Sequence, residues 1–168
     1  SGVSLDGGSF FYPNPLESDG SHKRQPWFGC ACCPSNICRF IPSVPGYVYA
    51  ARDRDLYVNL YMSNTMTHKL GGREIEIAQH TGYPWSGEIN IEILKNKAGR
   101  FSLNLRIPGW VRGQVVPSDL YSFADDADTG YAVTVNGRPV KSELVKGYFC
   151  ISRRWKAGDR ITLKLDMR

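Results

Sequence analysis

The sequence has no uninterrupted apolar run near the roughly 20 residues that a helix needs to cross a bilayer. A membrane partner is therefore not expected. It also lacks the basic start and apolar stretch of a secretory leader, because it opens Ser1-Gly2-Val3-Ser4. The compartment stays open. Internal repeats are absent, and 17 Gly with 10 Pro among 168 residues fall short of the roughly 25–30% that marks low-complexity chains. A stripe of one charge is missing too. Lys and Arg number 21 against 16 Asp and Glu, a net +5, yet the two signs interleave, as in Arg52-Asp53-Arg54-Asp55. Dispersed charge of this kind is a solvated face, so nucleic acid is not an expected partner. What remains is ordinary globular usage, 42% hydrophobic and 22% charged, in a chain long enough to bury a core without staples.

The cysteines are more informative. There are five, an odd number, and four crowd together at Cys30, Cys32, Cys33 and Cys38, with Cys150 far away. A disulfide framework spreads its cysteines to close loops. Clustered thiols belong to metal or redox chemistry instead. Pro34 sits where a first helical residue would be, and Ile37, Phe40 and Ile41 give the short helix an apolar face that Pro42 and Pro45 end or kink. Cys32 and Cys33 therefore lie at a helix entrance, where free backbone N–H groups and the macrodipole favour a thiolate. Such a sulfur is a soft metal ligand or a nucleophile; the competing reading is a set of inert, buried thiols. A zinc site made from Cys30, Cys32, Cys33 and Cys38 alone is disfavoured, since adjacent ligands wrap a tetrahedral ion poorly. Two thiolates here with further ligands from elsewhere fit better.

Two regions differ in period. Residues 1–46 hold a short expected strand, Phe10-Phe11-Tyr12, a turn-rich loop through Pro13-Asn14-Pro15 and Ser18-Asp19-Gly20-Ser21, then the cysteines and the helix. From Tyr47 the period is two. Tyr47-Val48-Tyr49-Ala50 and Leu56 to Tyr61 read as a hairpin, Ile89, Ile91 and Ile93 alternate with polar residues, and so do Phe101, Leu103, Leu105 and Ile107. Asn136-Gly137 after Val133 and Val135 is a strong hairpin turn. Residues 47–168 are thus expected to form an antiparallel β-sandwich, jelly-roll-like, with one long acidic loop from Pro117 to Gly130. Trp85, Trp110 and Trp155 fall at strand ends, where sandwich tryptophans more often plug the core than stack on sugars. Both chain ends look unfinished and the helix has no second helix beside it, which suggests part of something larger.

Asn14-Pro15-Leu16-Glu17 and Trp27-Phe28-Gly29-Cys30-Ala31-Cys32-Cys33-Pro34-Ser35-Asn36 resemble glycoside hydrolase family 127, the β-L-arabinofuranosidase family. The likeness continues through Gly46 to Ala50, Leu56 to Tyr61 and Tyr83-Pro84-Trp85. The resemblance implies an (α/α)6 barrel carrying the active site, followed by β-sandwiches. On that basis residues 1–46 would be the end of the barrel and residues 47–168 one sandwich. It also implies retaining hydrolysis with a cysteine nucleophile and a zinc ion held by three cysteines and a glutamate. Cys32 would be nucleophile and ligand, and Cys33 a ligand. The other ligands and the glutamate acid/base lie upstream in the family, so the missing barrel is an expected partner and the isolated chain is expected to be inactive.

Weaker assignments complete the expectation. Tyr12, His22, Arg24 and Trp27 flank the cysteines in sequence and are candidate sugar contacts, Tyr12 first among them. Cys38 and Cys150 are read as packing residues, and Cys30 as merely near the site. The substrate would be a β-L-arabinofuranoside or related glycoside. The alternative from another class is a non-catalytic carbohydrate-binding sandwich, which has no use for clustered cysteines; a third is a small zinc-stabilised module.

Overall fold

A computed structural model describes residues 2–12, 15–30, 32–124 and 129–167. Pro13-Asn14, Ala31 of the cysteine signature and residues 125–128 of the acidic loop lie outside this set. The chain forms two compact units, residues 1–46 and 47–168.

In the first unit, Phe10 is the one buried apolar side chain among the described residues. The expected strand at Phe10–Tyr12 shrinks to isolated bridges, Val3 to Phe10 and Phe10 to Gln25. Too few neighbours line up to extend a ladder, and aromatic contacts take over: Phe10 meets Tyr12, Trp27 and Phe28 at ring separations of 5.9, 6.2 and 5.0 Å. Helix α1 spans Cys32–Ser43, two residues earlier than the proline signal suggests. Pro34 is compatible with the first turn because the N–H it lacks has no intrahelical partner there. Pro42 is tolerated one residue before the end, and the Ser43 hydroxyl donates to the Phe40 carbonyl at 2.7 Å. Phe40 and Ile41 on α1 are exposed.

Helix α2, Pro45–Val48, is a single turn. It corrects the expected first strand: Pro45 favours helical φ at a first position, so Tyr47 and Val48 leave the hairpin. The hairpin is β1 (Tyr49–Arg52) with β2 (Asp55–Val58), and Val48 instead accepts the Asn59 N–H at 2.8 Å. After β3 (Asn64–Leu70) and β4 (Arg73–Thr81) come β5 (Glu88–Asn96) and β6 (Arg100–Arg106). A 3-10 turn at Gly109–Arg112 follows, then β7 (Tyr131–Val135) and the two-residue β8 (Arg138–Pro139) and β9 (Leu144–Val145). The chain finishes with β10 (Tyr148–Arg154) and β11 (Arg160–Leu165).

The strands build two sheets, ordered β1-β2-β6-β10-β9 and β3-β4-β5-β11-β7-β8. Pairing is antiparallel throughout except between β2 and β6, which run parallel with Leu56 beside Leu103. One inner face presents Leu56, Val58, Leu103, Leu105, Phe149 and Ile151; the other presents Ile75, Ile77, Ile89, Ile91, Ile161 and Leu163. Each is the apolar half of an alternating strand, and burying each large side chain is worth roughly 1.5–3 kcal/mol before entropy. Asn136 and Gly137 turn β7 into β8 with φ of 52° and 75°, the left-handed pair that an Asn-Gly hairpin needs.

The three tryptophans separate. Trp155 is a core plug, its indole N–H donating to the Phe101 carbonyl at 3.1 Å. Trp110 is half-buried against the core. Trp85 is 94% exposed. Cys150 is half-buried on β10, and burial first, then the Asp55 charge, pushes its thiol pKa up. No described helix is long and apolar enough to cross a membrane.

Candidate active site

The cysteines meet the first unit's aromatic cluster through Tyr12. Its ring stands edge-on to Phe28 at 4.8 Å, and its hydroxyl lies against the Cys30 carbonyl and 3.5 Å from Cys32 Sγ. Cys32 Sγ is also 3.9 Å from Cys33 Sγ. The Cys32 sulfur, at the first residue of α1, thus has the Tyr12 hydroxyl and the Cys33 thiol within hydrogen-bond reach. Those bonds, Tyr12 first and Cys33 second, hold the Cys32 thiol below its ordinary pKa. Cys33 shifts the other way, raised by burial and by giving its proton toward Cys32. Tyr12 is raised as well, by burial and then by the same neighbouring sulfur. Of the two adjacent thiols, Cys32 is thus the one whose thiolate its neighbours favour.

The other candidate residues divide between that cluster and Phe11: Trp27 belongs to the cluster, His22 and Arg24 to Phe11. His22 stacks on Phe11 at 4.6 Å. Arg24 places its guanidinium 4.6 Å from the Phe11 ring centre and donates to the Gly2 carbonyl at 3.3 Å. Trp27 packs edge-on to Phe10 and is 65% exposed. Tyr12 has a hydrogen-bond contact to a cysteine sulfur. Cys30 and Cys38 are exposed, and no described element covers that part of α1. Sequence reasoning missed Phe10 and Phe28 as the support for Tyr12. The signal was present in Phe10-x-Tyr12, whose spacing of two puts both rings on one side of an extended segment.

Among the described residues, no group of three or more His, Cys, Asp and Glu side chains is arranged to hold a metal ion. The pair can be tested against zinc on its own. With Zn–S bonds near 2.3 Å, two thiolates on a tetrahedral ion lie about 3.8 Å apart; the Cys32 and Cys33 sulfurs are 3.9 Å apart. They fit two neighbouring corners.

Residues 55–167 match the family described as β-L-arabinofuranosidase, GH127 middle domain, and residues 1–46 match the GH127 catalytic domain. The chain belongs to glycoside hydrolase family 127. Among GH127 relatives, a non-reducing end β-L-arabinofuranosidase from Bifidobacterium longum subsp. longum is 35% identical over 185 residues. That alignment covers 99% of this chain and 25% of the relative. A solved GH127 β-arabinofuranosidase superposes with a TM-score of 0.92 at 56% identity, over 99% of this chain and 26% of its own. The GH127 β-L-arabinofuranosidase of Geobacillus stearothermophilus T6 gives 0.81 at 37%, with the same two coverages. The chain thus spans about a quarter of the length of these GH127 proteins.

Proposed function

We propose that this chain supplies the nucleophile end of a retaining, β-L-arabinofuranosidase-like site, with Cys32 as nucleophile and Cys33 beside it as a metal ligand. The observation that carries this is the triplet of Tyr12 hydroxyl, Cys32 sulfur and Cys33 sulfur at the start of α1. Membership of GH127 and the relatives' printed activity support the substrate class. Cys32 and Cys33 would hold a zinc ion in common, and the ion would keep both sulfurs deprotonated when bound.

In the reaction, the Cys32 thiolate attacks the anomeric carbon while the glycosidic C–O bond breaks and the leaving oxygen takes a proton from a general acid. Water then adds to the same carbon, giving its proton to the conjugate base of that acid, while the C–S bond breaks and the sulfur returns as thiolate. This exchanges sulfur for the carboxylate nucleophile of ordinary retaining enzymes. The Tyr12 hydroxyl, between the Cys30 carbonyl and the Cys32 sulfur, would help to hold that sulfur in place. Tyr12 and Trp27, on one aromatic cluster, would form a wall for the sugar, and His22 and Arg24, held on Phe11, would add polar contacts. The chain brings no assured acid, so no turnover is expected from these 168 residues alone.

Mild alkylation at neutral pH, mapped by peptide mass, tests the assignment. Cys32 should label before Cys38 and Cys150, and added zinc should slow Cys32 and Cys33 only. Equal labelling of Cys32 and Cys38, or zinc protection that survives Cys33→Ser, would overturn it. The carbohydrate-binding alternative predicts no zinc effect at all.

A further inference from the structure

Beside the C-terminal ends of β2 and β6 lies a cavity of about 440 Å³, within the roughly 300–1,000 Å³ typical of ligand sites. It belongs wholly to the second unit. Three aromatic residues line it, Tyr61, Tyr83 and Trp110, together with Arg106, Arg112 and Gln114.

The walls are held in place. Tyr61 is buried, and its hydroxyl donates to the Arg106 carbonyl at 2.6 Å. Its ring meets Tyr83 edge-on at 6.0 Å. Trp110 and Arg112 sit on the 3-10 turn, which Val111 anchors in the core. The turn is closed by the Gln114 N–H donating to the Gly109 carbonyl at 2.9 Å, with Gly113 at φ 72°. Only a residue free to take that left-handed angle completes it cheaply.

The charge is one-sided. Among the described residues no Asp or Glu lines the cavity and neither arginine makes a salt bridge, whereas Lys95, Arg160 and Lys164 elsewhere on the sandwich do. A guanidinium with no carboxylate of its own is a bidentate receptor for a carboxylate from outside. Aromatic walls accept the apolar C–H face of a sugar ring, and Gln114 offers an amide to its hydroxyls. A protein partner would also value the aromatic rings, but two arginines at an otherwise uncharged concavity favour a small anionic group entering it.

We propose that this cavity is a second glycan-binding site that takes a uronic acid residue of an acidic polysaccharide. Its described lining comes from the second unit alone, and the proposal does not depend on the cysteine assignment. It gives the sandwich a task beyond support, holding a charged sugar of the same class of polymer that a glycosidase works on.

Calorimetric titration of the chain with trigalacturonate, and with trigalactose as the neutral counterpart, tests this. Saturable one-to-one binding of the acidic probe is expected, about tenfold tighter than the neutral one, as loss of a charge-assisted pair implies. Arg106→Gln and Arg112→Gln should each weaken the acidic probe about fivefold or more with the β-sheet circular dichroism unchanged. Both side chains are exposed; should either variant unfold, the salt dependence of binding by the unaltered chain decides instead. No saturable binding, equal affinity for the two probes, variants that bind like the parent chain, or salt-insensitive binding would each overturn the proposal. Cys32 labelling is independent of every one of these outcomes, so the two sites fail separately.

Discussion

Asp159 should carry pH-dependent stability out of proportion to its size. It is the one buried charged group among the described residues, 7% exposed, in the turn between β10 and β11. Its two carboxylate oxygens accept from the Asn136 amide at 2.9 Å and the Lys156 N–H at 2.8 Å. Asn136 in turn accepts the Arg160 N–H at 2.8 Å, so the carboxylate ties the β7–β8 turn to the β10–β11 turn. Burial alone would raise the Asp159 pKa. The Asn136 and Lys156 hydrogen bonds, with the charges of Arg153 and Lys156, outweigh it and leave the group below its ordinary value. Hydrogen bonds to a charged acceptor are worth about 1.5–3 kcal/mol each. Asp159→Asn keeps the shape but turns an NH2 toward one donor, and part of the loss is offset by the desolvation it removes. A net cost of about 2 kcal/mol at neutral pH follows, or about 1 M in urea midpoint for an m-value near 2 kcal/mol/M. Because the folded pKa is depressed, the contribution is complete above the unfolded value near 3.9 and fades as pH falls through the folded one. Urea melts followed by circular dichroism at pH 7, 5 and 3 should therefore show a constant gap between parent and variant at the first two and a narrowed gap at the third. A gap that persists unchanged at pH 3, or none at pH 7, would refute this reasoning.

Gly87→Ala should be among the costliest single changes, because a Cβ there would sit 1.9 Å from the Leu165 carbonyl oxygen. The same glycine accepts the Leu165 N–H at 2.9 Å, so β5 and β11 must part; about 3 kcal/mol or more is expected in a urea melt, and a near-neutral result would show that the backbone yields easily. A chelator should leave the β-sheet circular dichroism intact, since the apolar cluster of the sandwich draws entirely on residues 56–165. Loss of that signal would favour the zinc-stabilised module.

The alternation of Ile89, Ile91 and Ile93 and of Phe101, Leu103 and Leu105 reads directly from the sequence, because a period of two leaves one face to bury. So does the Asn136-Gly137 turn, which needs two residues at positive φ. The neighbour of β2 does not read this way. Nothing in Leu56-Tyr57-Val58 distinguishes a partner met by hairpin from one met 47 positions later in parallel, since that choice lies in the tertiary packing of two sheets. Tyr47 and Val48 look like strand by composition, and the proline two places earlier overrides them. At the candidate site the cysteines were legible as a cluster. The contact of Tyr12 with Cys32 was not, because it depends on a fold-back across 20 positions. The cavity of Tyr61, Tyr83 and Trp110 collects residues from three distant segments with no local signature of their own.

The parallel seam between β2 and β6 also decides where this sandwich can be divided. Matching to the middle-domain family begins at residue 55, at the first residue of β2 and after the whole of β1. A polypeptide trimmed to that point would keep the seam but strip β2 of its hairpin partner, converting an interior strand into a rim. Its Asp55–Val58 backbone, now hydrogen-bonded on both sides, would offer unsatisfied N–H and C=O groups next to fully buried Leu56 and Val58. That is the template on which foreign strands add and aggregates grow. Severing at Tyr47 instead retains β1, whose outward residues Ala50, Ala51 and Arg52 are already solvated, and leaves the rim where the molecule has made it harmless.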